Sequence, residues 1–503
     1  EAFRVDPPDV EFPSAAVTSA ADPVDAGADA YVTNVEKRMP FHFGNVSVEA
    51  VGVLFLSLEV EVDGTTTTGL SQGGLGPLWY YKDPDMAPHE GSEHMLDLTE
   101  HAWTAAIEHG PAPTVFDLWH DLYEAQYAWG GSTPYPPLLL GFGLSLVEGA
   151  LIDAFCRATD RTFAEAVREN ALGIEPGRVY DELAGEEPAE YLPESPARET
   201  ALRHTVGQTD PLTPGEIPPE DRLDDGLPQS LSEYLETDGV SHFKIKLSAD
   251  PEKDRAQLRA IRDVLESHGI EEYALTVDAN EQYETVEEFR SQWEGHRAAG
   301  DLDAFLDRLL YVEQPLPRDE AFTGRTRETF ADWSDRPPVI IDESDDRIDT
   351  LGTALDHGYD GTSHKNVKGI MTGVINGCLL ESRRRENLDR EYVLSGEDMT
   401  NIGPIELQQD LAVMATLGLD HVERNGHHYN RGLSMFPEDV QSAVLSAHGD
   451  LFRRHEEGFA TVDVRDGVIQ LGSVVDAPFG RSLDLDVSRF TPVEEWDPRS
   501  VYA

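Results

Sequence analysis

Hydrophobic and polar positions follow one rhythm in the first part of the chain. From Tyr31 to about Gly74 they alternate, and the segment VSVEAVGVLFLSLEVEVDGTTTTGLS predicts long antiparallel strands joined at its DG pair. Two stretches of helical periodicity follow, EHMLDLTEHAWTAAIEHG and PLLLGFGLSLVEGALIDAFCRATDRTFAEAVREN. Strands followed by helices predict a separate α+β domain that ends near residue 173. Two segments rich in Pro and acidic residues, 173–200 and 209–229, are interpreted as a linker and a surface loop.

A second rhythm begins at about Leu202, where short apolar runs alternate with amphipathic stretches. The runs are LRHTVG, SHFKIKL, YALTVDAN, LLYVEQP, PVIIDES, GTSHKNV, REYVLSGED and DHVERNG. About eight such units over roughly 220 residues favour a closed parallel barrel. An open doubly wound sheet is the alternative, although no Gly-rich nucleotide loop follows the first run. The predicted domains are an acidic arm (1–30), an α+β domain with its linker (31–200), a barrel (201–431) and a C-terminal segment that returns to the first domain (432–503).

The charge of the chain is extreme for a folded protein of 503 residues. The formal net charge is −57, the acidic residues are dispersed along the whole chain, and only seven of the 39 Lys and Arg residues are Lys. These features predict a halophilic surface, because salt screens the self-repulsion of a strongly acidic protein. An acidic surface that binds a basic partner is the alternative. The same charge argues against nucleic acid and anionic membranes as partners.

Composition and targeting signals predict a soluble, cytoplasmic protein. Hydrophobic residues make up 39% of the chain, enough to bury a core. No uninterrupted apolar run reaches 18 residues, and the first 30 residues lack the basic-then-apolar pattern of a signal peptide. Cys156 and Cys378 lie far apart in apolar helical segments, so both are predicted to be core thiols.

The ends of five successive runs carry polar or ionisable side chains, and a barrel gathers such residues at the C-terminal ends of its strands. In chain order they are Lys244 and Lys246, Asp278 and Asn280, Glu313, Asp342 and Glu343, and Lys365. The intervals of 32, 35, 29 and 23 residues from Lys246 onwards each suit one strand–helix unit. Three converging carboxylates require a hard divalent cation, and Mg²⁺ suits an all-oxygen site that keeps places for water and substrate.

A lysine beside such a cation can act as a base. Partial burial and a nearby positive charge lower its pKa toward neutrality, so that it can take a proton from a weakly acidic carbon. The cation would stabilise the enolate that develops on a substrate carboxylate. Each motif alone is a weak signal, because a KIK strand and DAN, EQP or DES loops are common. Their order at successive strand ends carries the hypothesis.

This ordered motif set resembles the enolase superfamily, specifically the mandelate racemase/muconate lactonising enzyme family and its muconate lactonising and dipeptide epimerase branch. The resemblance covers Leu202 to Gly426 and, less sharply, the N-terminal domain. It implies a modified TIM barrel of (β/α)7β type with an α+β capping domain. It also implies one Mg²⁺ and homo-oligomers. The implied roles are acid/base catalysis by Lys246 and Lys365 beside Lys244, Mg²⁺ ligation by Asp278, Glu313 and Asp342, and support from Asn280, Glu343 and Lys368.

Two segments depart from the usual patterns of this family. Strand six of the epimerase branch usually reads N-I-K-x-x-K-x-G-G, whereas TSHKNVKGIMTG lacks the Gly-Gly and places His364 before Lys365. The racemase branch would need a His–Asp pair involving strand seven, but LSGEDMTN offers Glu397 and Asp398 without His. This favours a pair of catalytic lysines. The expected substrate contacts, partly from capping segments 37–45 and 71–85, are Phe41, Trp79, Tyr80, His364, Glu397, Glu423, His427 and His428.

The resulting prediction is a Mg²⁺-dependent enzyme that removes the proton α to the carboxylate of a small molecule. Lysines on both faces of the substrate favour racemisation or epimerisation. A dehydratase acting by β-elimination on a hydroxy or sugar acid, or a cycloisomerase, would use the same residues. A barrel that keeps the site without catalysis, and chance pairing of the lysines, are the remaining alternatives.

Overall fold

The N-terminal domain is an antiparallel sheet covered by helices. A computed structural model describes residues 15–17, 28–43, 46–83 and 86–502. The strands of this domain are β1 (Ala15–Val17), β2 (Ala28–Phe43), β3 (Val46–Val62) and β4 (Thr65–Gly74). β3 pairs with β1 and β2 along one edge and with β4 along the other, and Asp63 and Gly64 form the predicted turn. Most of the predicted acidic arm lies outside the described residues.

Five helices of the described chain follow this sheet. They are α1 (Leu78–Tyr81), α2 (Pro88–His109), α3 (Val115–Gly130), α4 (Pro137–Thr159) and α5 (Phe163–Arg168). Helix α3 was not predicted from the sequence, and α4 and α5 were predicted as a single helix. Helix α4 ends at Thr159 because the backbone of Asp160 adopts the left-handed conformation. Thr162 then begins α5 through a capping box with Glu165.

Helix α4 is a core helix that joins the two domains. Among the described helices, only α4 combines the length and hydropathy of a membrane-spanning segment, but 94% of its most apolar 18-residue window is buried inside the protein. Its buried Glu148 accepts hydrogen bonds from the backbone N–H groups of Ile370 (3.0 Å) and Met371 (2.6 Å) in the barrel. Burial raises the pKa of Glu148 to about 8. This contact fixes the N-terminal domain over the segment that follows Lys365.

The second domain is a closed parallel barrel, as the sequence predicts. Its eight described strands are β5 (Glu199–Val206), β6 (His242–Lys246), β7 (Ala274–Asp278), β8 (Leu309–Glu313), β9 (Val339–Ile341), β10 (Gly361–His364), β11 (Val393–Gly396) and β12 (His421–Glu423). Neighbouring strands pair in parallel, and β12 pairs with β5, which closes the barrel and excludes the open sheet.

Helices cover the outside of the barrel or begin the loops at its C-terminal end. They are α6 (Leu231–Thr237), α7 (Pro251–Ser267), α8 (Val286–Arg297), α9 (Asp303–Leu306), α10 (Arg318–Ala321), α11 (Gly324–Ala331), α12 (Thr350–Asp356), α13 (Ile370–Glu386), α14 (Glu406–Leu417) and α15 (Gly426–Tyr429).

The C-terminal segment contacts both domains. It contains α16 (Glu438–Ala447), β13 (Phe452–Arg454), β14 (Ala460–Val462), β15 (Val468–Gln470), α17 (Gly472–Val475) and β16 (Thr491–Pro492). β15 pairs antiparallel with β5 of the barrel, and β16 pairs with Tyr31 and Val32 of β2. The C-terminal segment therefore pairs with both the capping domain and the barrel.

We predict that the stability of this fold depends on salt. Repulsion within a surface of net charge −57 opposes folding, and screening by molar salt shortens its range to about 3 Å. Between 0.1 and 2 M KCl, the thermal unfolding midpoint measured by circular dichroism should rise by about 10 °C. A midpoint that stays constant or falls over this range would contradict the interpretation of the acidic surface.

Candidate active site

A cavity of about 220 Å³ lies between the capping domain and the C-terminal ends of the barrel strands. The barrel contributes the wall around the predicted lysines and carboxylates, and β2, β3 and α1 contribute a largely apolar wall. The residues singled out by sequence that line the cavity are Phe41, Trp79, Lys244, Lys246, Asp278, Asn280, Asp342, Lys365 and Glu423. The predicted strand ends therefore converge on one enclosed space.

Three buried carboxylates end adjacent barrel strands. In the register of the barrel, Lys246 is the partner of Asp278, and Asp278 is the partner of Glu313. Asp342 directly follows β9, and its backbone N–H donates to the Gln314 side chain at 2.7 Å. Parallel pairing thus places Asp278, Glu313 and Asp342 side by side at one rim.

Lys244 lies among four buried carboxylates. Its Nζ is 3.1 Å from Asp278, 2.9 Å from Glu313, 2.6 Å from Glu397 and 3.0 Å from Glu423. Burial alone would lower the pKa of Lys244, but the four carboxylates raise it well above its ordinary value. Lys244 is therefore a permanent positive charge that draws the side chains of four strands together.

Lys246 and Lys365 lie on opposite sides of the barrel, because β6 and β10 are four strands apart in a closed ring of eight described strands. Lys246 Nζ donates to Asp278 at 2.6 Å and to the Asn280 side chain at 2.9 Å. Lys365 Nζ donates to Asp342 at 2.6 Å and lies 5.1 Å from the centre of the Trp79 ring. Each lysine is thus held by a carboxylate predicted to bind metal.

These ion pairs set the protonation of the site. Burial would raise the pKa of Asp342, but Lys365 and Lys368 lower it well below its usual range. Burial, followed by Asp278 and Glu397, raises the pKa of Glu313 well above its ordinary value. Burial would lower the pKa of Lys365, but Asp342 outweighs it and raises that pKa. The lowered lysine pKa expected from sequence is therefore not found where Asp342 pairs directly with the ammonium group.

The carboxylates fit a hard divalent cation by their chemistry and placement. Within the described residues, no three His, Cys, Asp or Glu side chains are grouped closely enough to hold a metal ion, and Asp278 and Asp342 instead pair with the ammonium groups of Lys244 and Lys365. Asp278 and Glu313 nevertheless contact one positive charge, the Lys244 ammonium, from adjacent strands. Carboxylate oxygens are the ligands that Mg²⁺ prefers in proteins.

The other predicted site residues lie behind the cavity wall. Glu397 pairs with Lys244 and with Arg203 inside the barrel. Lys368 donates to Ser363 at 3.1 Å and lies 3.4 Å from the Asp342 carboxylate. Glu313, Tyr80 and Glu343 are also buried but do not line the cavity. The Glu343 carboxylate accepts a hydrogen bond from the Asn280 side chain at 3.1 Å. Apart from Glu313, which pairs with Lys244 beside Asp278, these residues contact the side chains in front of them and not the cavity itself.

Three predicted histidines pack away from the cavity. His364 pairs with Asn366 at 3.0 Å, and burial lowers its pKa to about 3, so it is neutral near pH 7. His427 bonds to the Arg424 carbonyl, and His428 bonds to the Tyr234 hydroxyl. α15 turns these two rings toward Tyr234, and they form part of the packing under β2. Their predicted role as substrate contacts has no counterpart in the lining of the cavity.

Sequence reasoning missed two lysines of the capping domain. Lys37 lines the cavity, and Lys82 Nζ donates to Glu343 at 2.7 Å and to the Asn280 carbonyl at 3.1 Å. Of the seven lysines, only Lys253 lies on the surface away from the barrel mouth, with 77% of its side chain exposed. The scarcity of lysine was thus a signal for the capping-domain residues as well.

Lys82 and Arg318 bond α1 of the capping domain and the residue that follows it to the barrel. Lys82 also contacts Glu281, which follows the Asp278 strand, and Arg318 donates to the carbonyls of Tyr80 (2.8 Å) and Trp79 (3.1 Å). These bonds hold the Trp79 ring over Lys365. Residues 84 and 85, within the predicted capping segment, lie outside the described residues.

Comparisons with known proteins show which fold this is. No protein-family profile matches the chain, and no curated protein matches it. Among solved structures, it is similar to a mandelate racemase/muconate lactonizing protein from Herpetosiphon aurantiacus, with 17% identity, a TM-score of 0.56, and coverage of 95% of this chain and 100% of that one. The chain has the fold of the mandelate racemase/muconate lactonising enzymes.

Two further structures with this fold are similar along nearly the whole chain. A dipeptide epimerase from Enterococcus faecalis V583 is 15% identical with a TM-score of 0.57, and the match covers 91% of this chain and 99% of that one. A 2-chloromuconate cycloisomerase from Rhodococcus opacus 1CP is 13% identical with a TM-score of 0.53, covering 94% and 98%. The capping domain and the barrel are thus both part of the shared architecture.

We predict that Lys82 stabilises the folded protein through buried Glu343. Lys82→Met should lower the free energy of unfolding by about 3 kcal/mol, because it leaves a buried carboxylate without its cation. Urea denaturation at constant KCl measures this change. Lys253→Met removes the same charge from an exposed position and should leave the midpoint unchanged. Equal changes in the free energy of unfolding for the two substitutions would show that Lys82 does not stabilise the contact between the domains.

Proposed function

We propose that this protein is a Mg²⁺-dependent enzyme of the mandelate racemase/muconate lactonising family that abstracts the proton α to a substrate carboxylate. The observation that carries the proposal is the placement of Lys246 and Lys365 on opposite sides of one cavity, with three carboxylates on adjacent strands between them. An enolate intermediate requires both a base and stabilisation of negative charge, and these residue types supply them. The fold shared with known isomerases and cycloisomerases supports the same class.

Asp278, Glu313 and Asp342 would hold the cation. Mg²⁺ bound there supplies Lewis-acid stabilisation of negative charge on the substrate carboxylate. A similar dipeptide epimerase was solved with Mg and a dipeptide, which supports the choice of cation. Lys244, fixed by four carboxylates, adds a permanent positive charge beneath the reacting carboxylate.

The chemical work of this chain is proton transfer at two lysine amines. One lysine, unprotonated, takes the α-proton at Nζ from one face of the substrate. The other, protonated, returns a proton to the same carbon from the opposite face, and the configuration is inverted. Trp79 and the apolar cap wall exclude water, which limits loss of the abstracted proton. Asp278 and Asp342 position the two amines through their hydrogen bonds.

Racemisation or epimerisation is the simplest overall reaction of this pair. β-Elimination of water and cycloisomerisation begin with the same abstraction and differ in leaving group and substrate shape. We favour racemisation or epimerisation because Lys246 and Lys365 line one cavity from opposite sides, each hydrogen-bonded to one carboxylate at 2.6 Å.

We predict that each lysine serves one enantiomer of the substrate. Wild-type protein with Mg²⁺ in D₂O should introduce α-deuterium into both enantiomers of a carboxylic-acid substrate, as followed by proton NMR. Lys246→Met and Lys365→Met should each lower interconversion of the enantiomers by about 10³-fold or more. Each variant should still exchange the one enantiomer whose α-proton faces the remaining lysine.

Lys253→Met is the matched control and should keep wild-type exchange. Formation of a keto acid without exchange into recovered substrate would assign the elimination alternative. If no acid in a panel of hydroxy, amino and sugar acids and dipeptides exchanges in the presence of Mg²⁺, the proposal is wrong and a non-catalytic barrel is favoured. Unchanged interconversion in either lysine variant would contradict the roles of Lys246 and Lys365.

A further inference from the structure

Glu148 is a buried carboxylate that the proposed chemistry does not use. It lies on α4 of the capping domain, fully buried, and its oxygens accept hydrogen bonds from the backbone N–H groups of Ile370 and Met371 at 3.0 and 2.6 Å. No Lys, Arg or His side chain in the described part of the chain pairs with it. Burial raises its pKa to about 8, so an ionised carboxylate is costly here. Its position therefore identifies a place where the fold needs a hydrogen-bond acceptor.

The carboxylate caps a helix that cannot cap itself. The first N–H groups of a helix have no partner within the helix, and a Ser, Thr, Asp or Asn at the N-cap usually binds them. The N-cap residue of α13 is Gly369, which has no side chain, and its φ of +113° favours glycine. A Cβ atom there would lie 2.8 Å from the Thr372 hydroxyl oxygen. Glu148 therefore supplies from another domain the cap that residue 369 cannot carry.

The capped turn is joined to Lys365 by successive backbone hydrogen bonds. The Lys365 carbonyl accepts from the Lys368 N–H at 2.9 Å, and the Asn366 carbonyl accepts from the Gly369 N–H at 2.9 Å. Residues 365–369 are thus fixed between the end of β10 and the N–H groups that Glu148 binds.

Only one of the two proposed catalytic lysines depends on this turn. Lys246 is the last residue of β6 and pairs in register with Asp278, so the barrel itself fixes its backbone. Lys365 comes after β10, which ends at His364, and lies beyond the paired residues of that strand. The backbone of Lys365 is therefore held by the turn that follows it, and that turn is held by Glu148.

We propose that Glu148 is a positioning residue for Lys365, through which the capping domain places one catalytic lysine and not the other. This inference rests on the proposed function, in which Lys365 and Lys246 each transfer a proton at one face of the substrate. Loss of the acceptor frees the first turn of α13 and displaces the Lys365 amine. A misplacement of about 1 Å costs about 100-fold in rate. Lys246 keeps its place in the barrel, so the two enantiomers of the substrate are affected unequally.

Glu148→Gln tests the inference, because the amide keeps the shape of the side chain but turns an NH₂ group toward a backbone N–H donor. Exchange of the α-proton in D₂O is followed by proton NMR for each enantiomer of a substrate acid, with Mg²⁺ in 2 M KCl. The Lys246→Met variant identifies the enantiomer that Lys365 serves. In Glu148→Gln, exchange of that enantiomer should fall about tenfold or more, and exchange of the other should stay within about twofold of wild type.

Asp153→Asn is the matched control on the same helix. Asp153 is also a fully buried carboxylate, and it accepts from the Leu70 N–H at 2.9 Å and pairs with Arg157 at 3.2 Å. This variant disturbs a buried carboxylate of α4 that does not bind the turn after Lys365. It should keep the wild-type ratio of the two exchange rates. Thermal unfolding midpoints ensure that both variants are measured in the folded state.

A second measurement follows the turn itself without substrate. Hydrogen–deuterium exchange by mass spectrometry reports the protection of the Ile370 and Met371 amides. This protection should fall in Glu148→Gln and stay at the wild-type level in Asp153→Asn. If Glu148→Gln does not fold, Gly369→Ala strains the same turn at its positive φ and should cause the same unequal loss of α-proton exchange.

The outcomes separate this inference from the proposed function. If wild type exchanges both enantiomers and Glu148→Gln slows both equally, or slows neither, the inference is overturned and the proposed function stands. Unchanged amide protection in Glu148→Gln overturns the inference as well, whatever the activity. If wild type exchanges no acid, the proposed function fails and the role of Glu148 toward a catalytic lysine fails with it, while amide protection still shows whether Glu148 holds the turn.

Discussion

Buried carboxylates and buried ammonium groups neutralise one another at the mouth of the barrel, and the remaining features of the site depend on this balance. A single carboxylate taken out of water without a partner costs several kcal/mol. Here Lys244 contacts four carboxylates, while Lys246 and Lys365 each bond to one. The parallel register brings these groups together, so strand pairing and charge pairing specify the same arrangement.

The same balance explains why lysine persists in a chain that uses arginine almost everywhere else. The guanidinium group does not deprotonate in proteins, so arginine cannot exchange protons with a carbon acid. Lys246 and Lys365 need an amine for that chemistry. Lys82 and Lys37 extend the pattern to the capping domain, where one fastens a loop to Glu343 and the other faces the cavity. Surface positions such as Lys253 are not subject to these constraints.

The barrel could be predicted from sequence because each of its strands has a local signature. All eight apolar runs became strands, and the polar residues at their ends converge because parallel strands end at one rim. The capping-domain contributions could not be predicted in this way. Lys37 reaches the cavity through a bulge fixed by Arg38, and Lys82 reaches Glu343 of the barrel from the end of α1, so the placement of both depends on contacts between domains.

The packing of His427 and His428 could not be predicted from the local sequence. His427 and His428 follow the last barrel strand, a position typical of substrate contacts. The short helix α15 rotates them toward Tyr234, away from the cavity. Helix α3 was missed although its buried face is apolar, and the break between α4 and α5 depends on the left-handed Asp160 and the capping box at Thr162.

The most direct test of this account is a calorimetric titration of the protein with Mg²⁺. The three strand-end carboxylates predict one binding site per chain, and Glu313→Gln should weaken binding by at least tenfold. Glu343, a buried carboxylate one residue beyond Asp342, provides the comparison. The variant Glu343→Gln should retain Mg²⁺ binding closer to that of wild type. Absence of Mg²⁺ binding by wild type, or equal affinity in wild type and Glu313→Gln, would contradict the central claim that these carboxylates form the metal site.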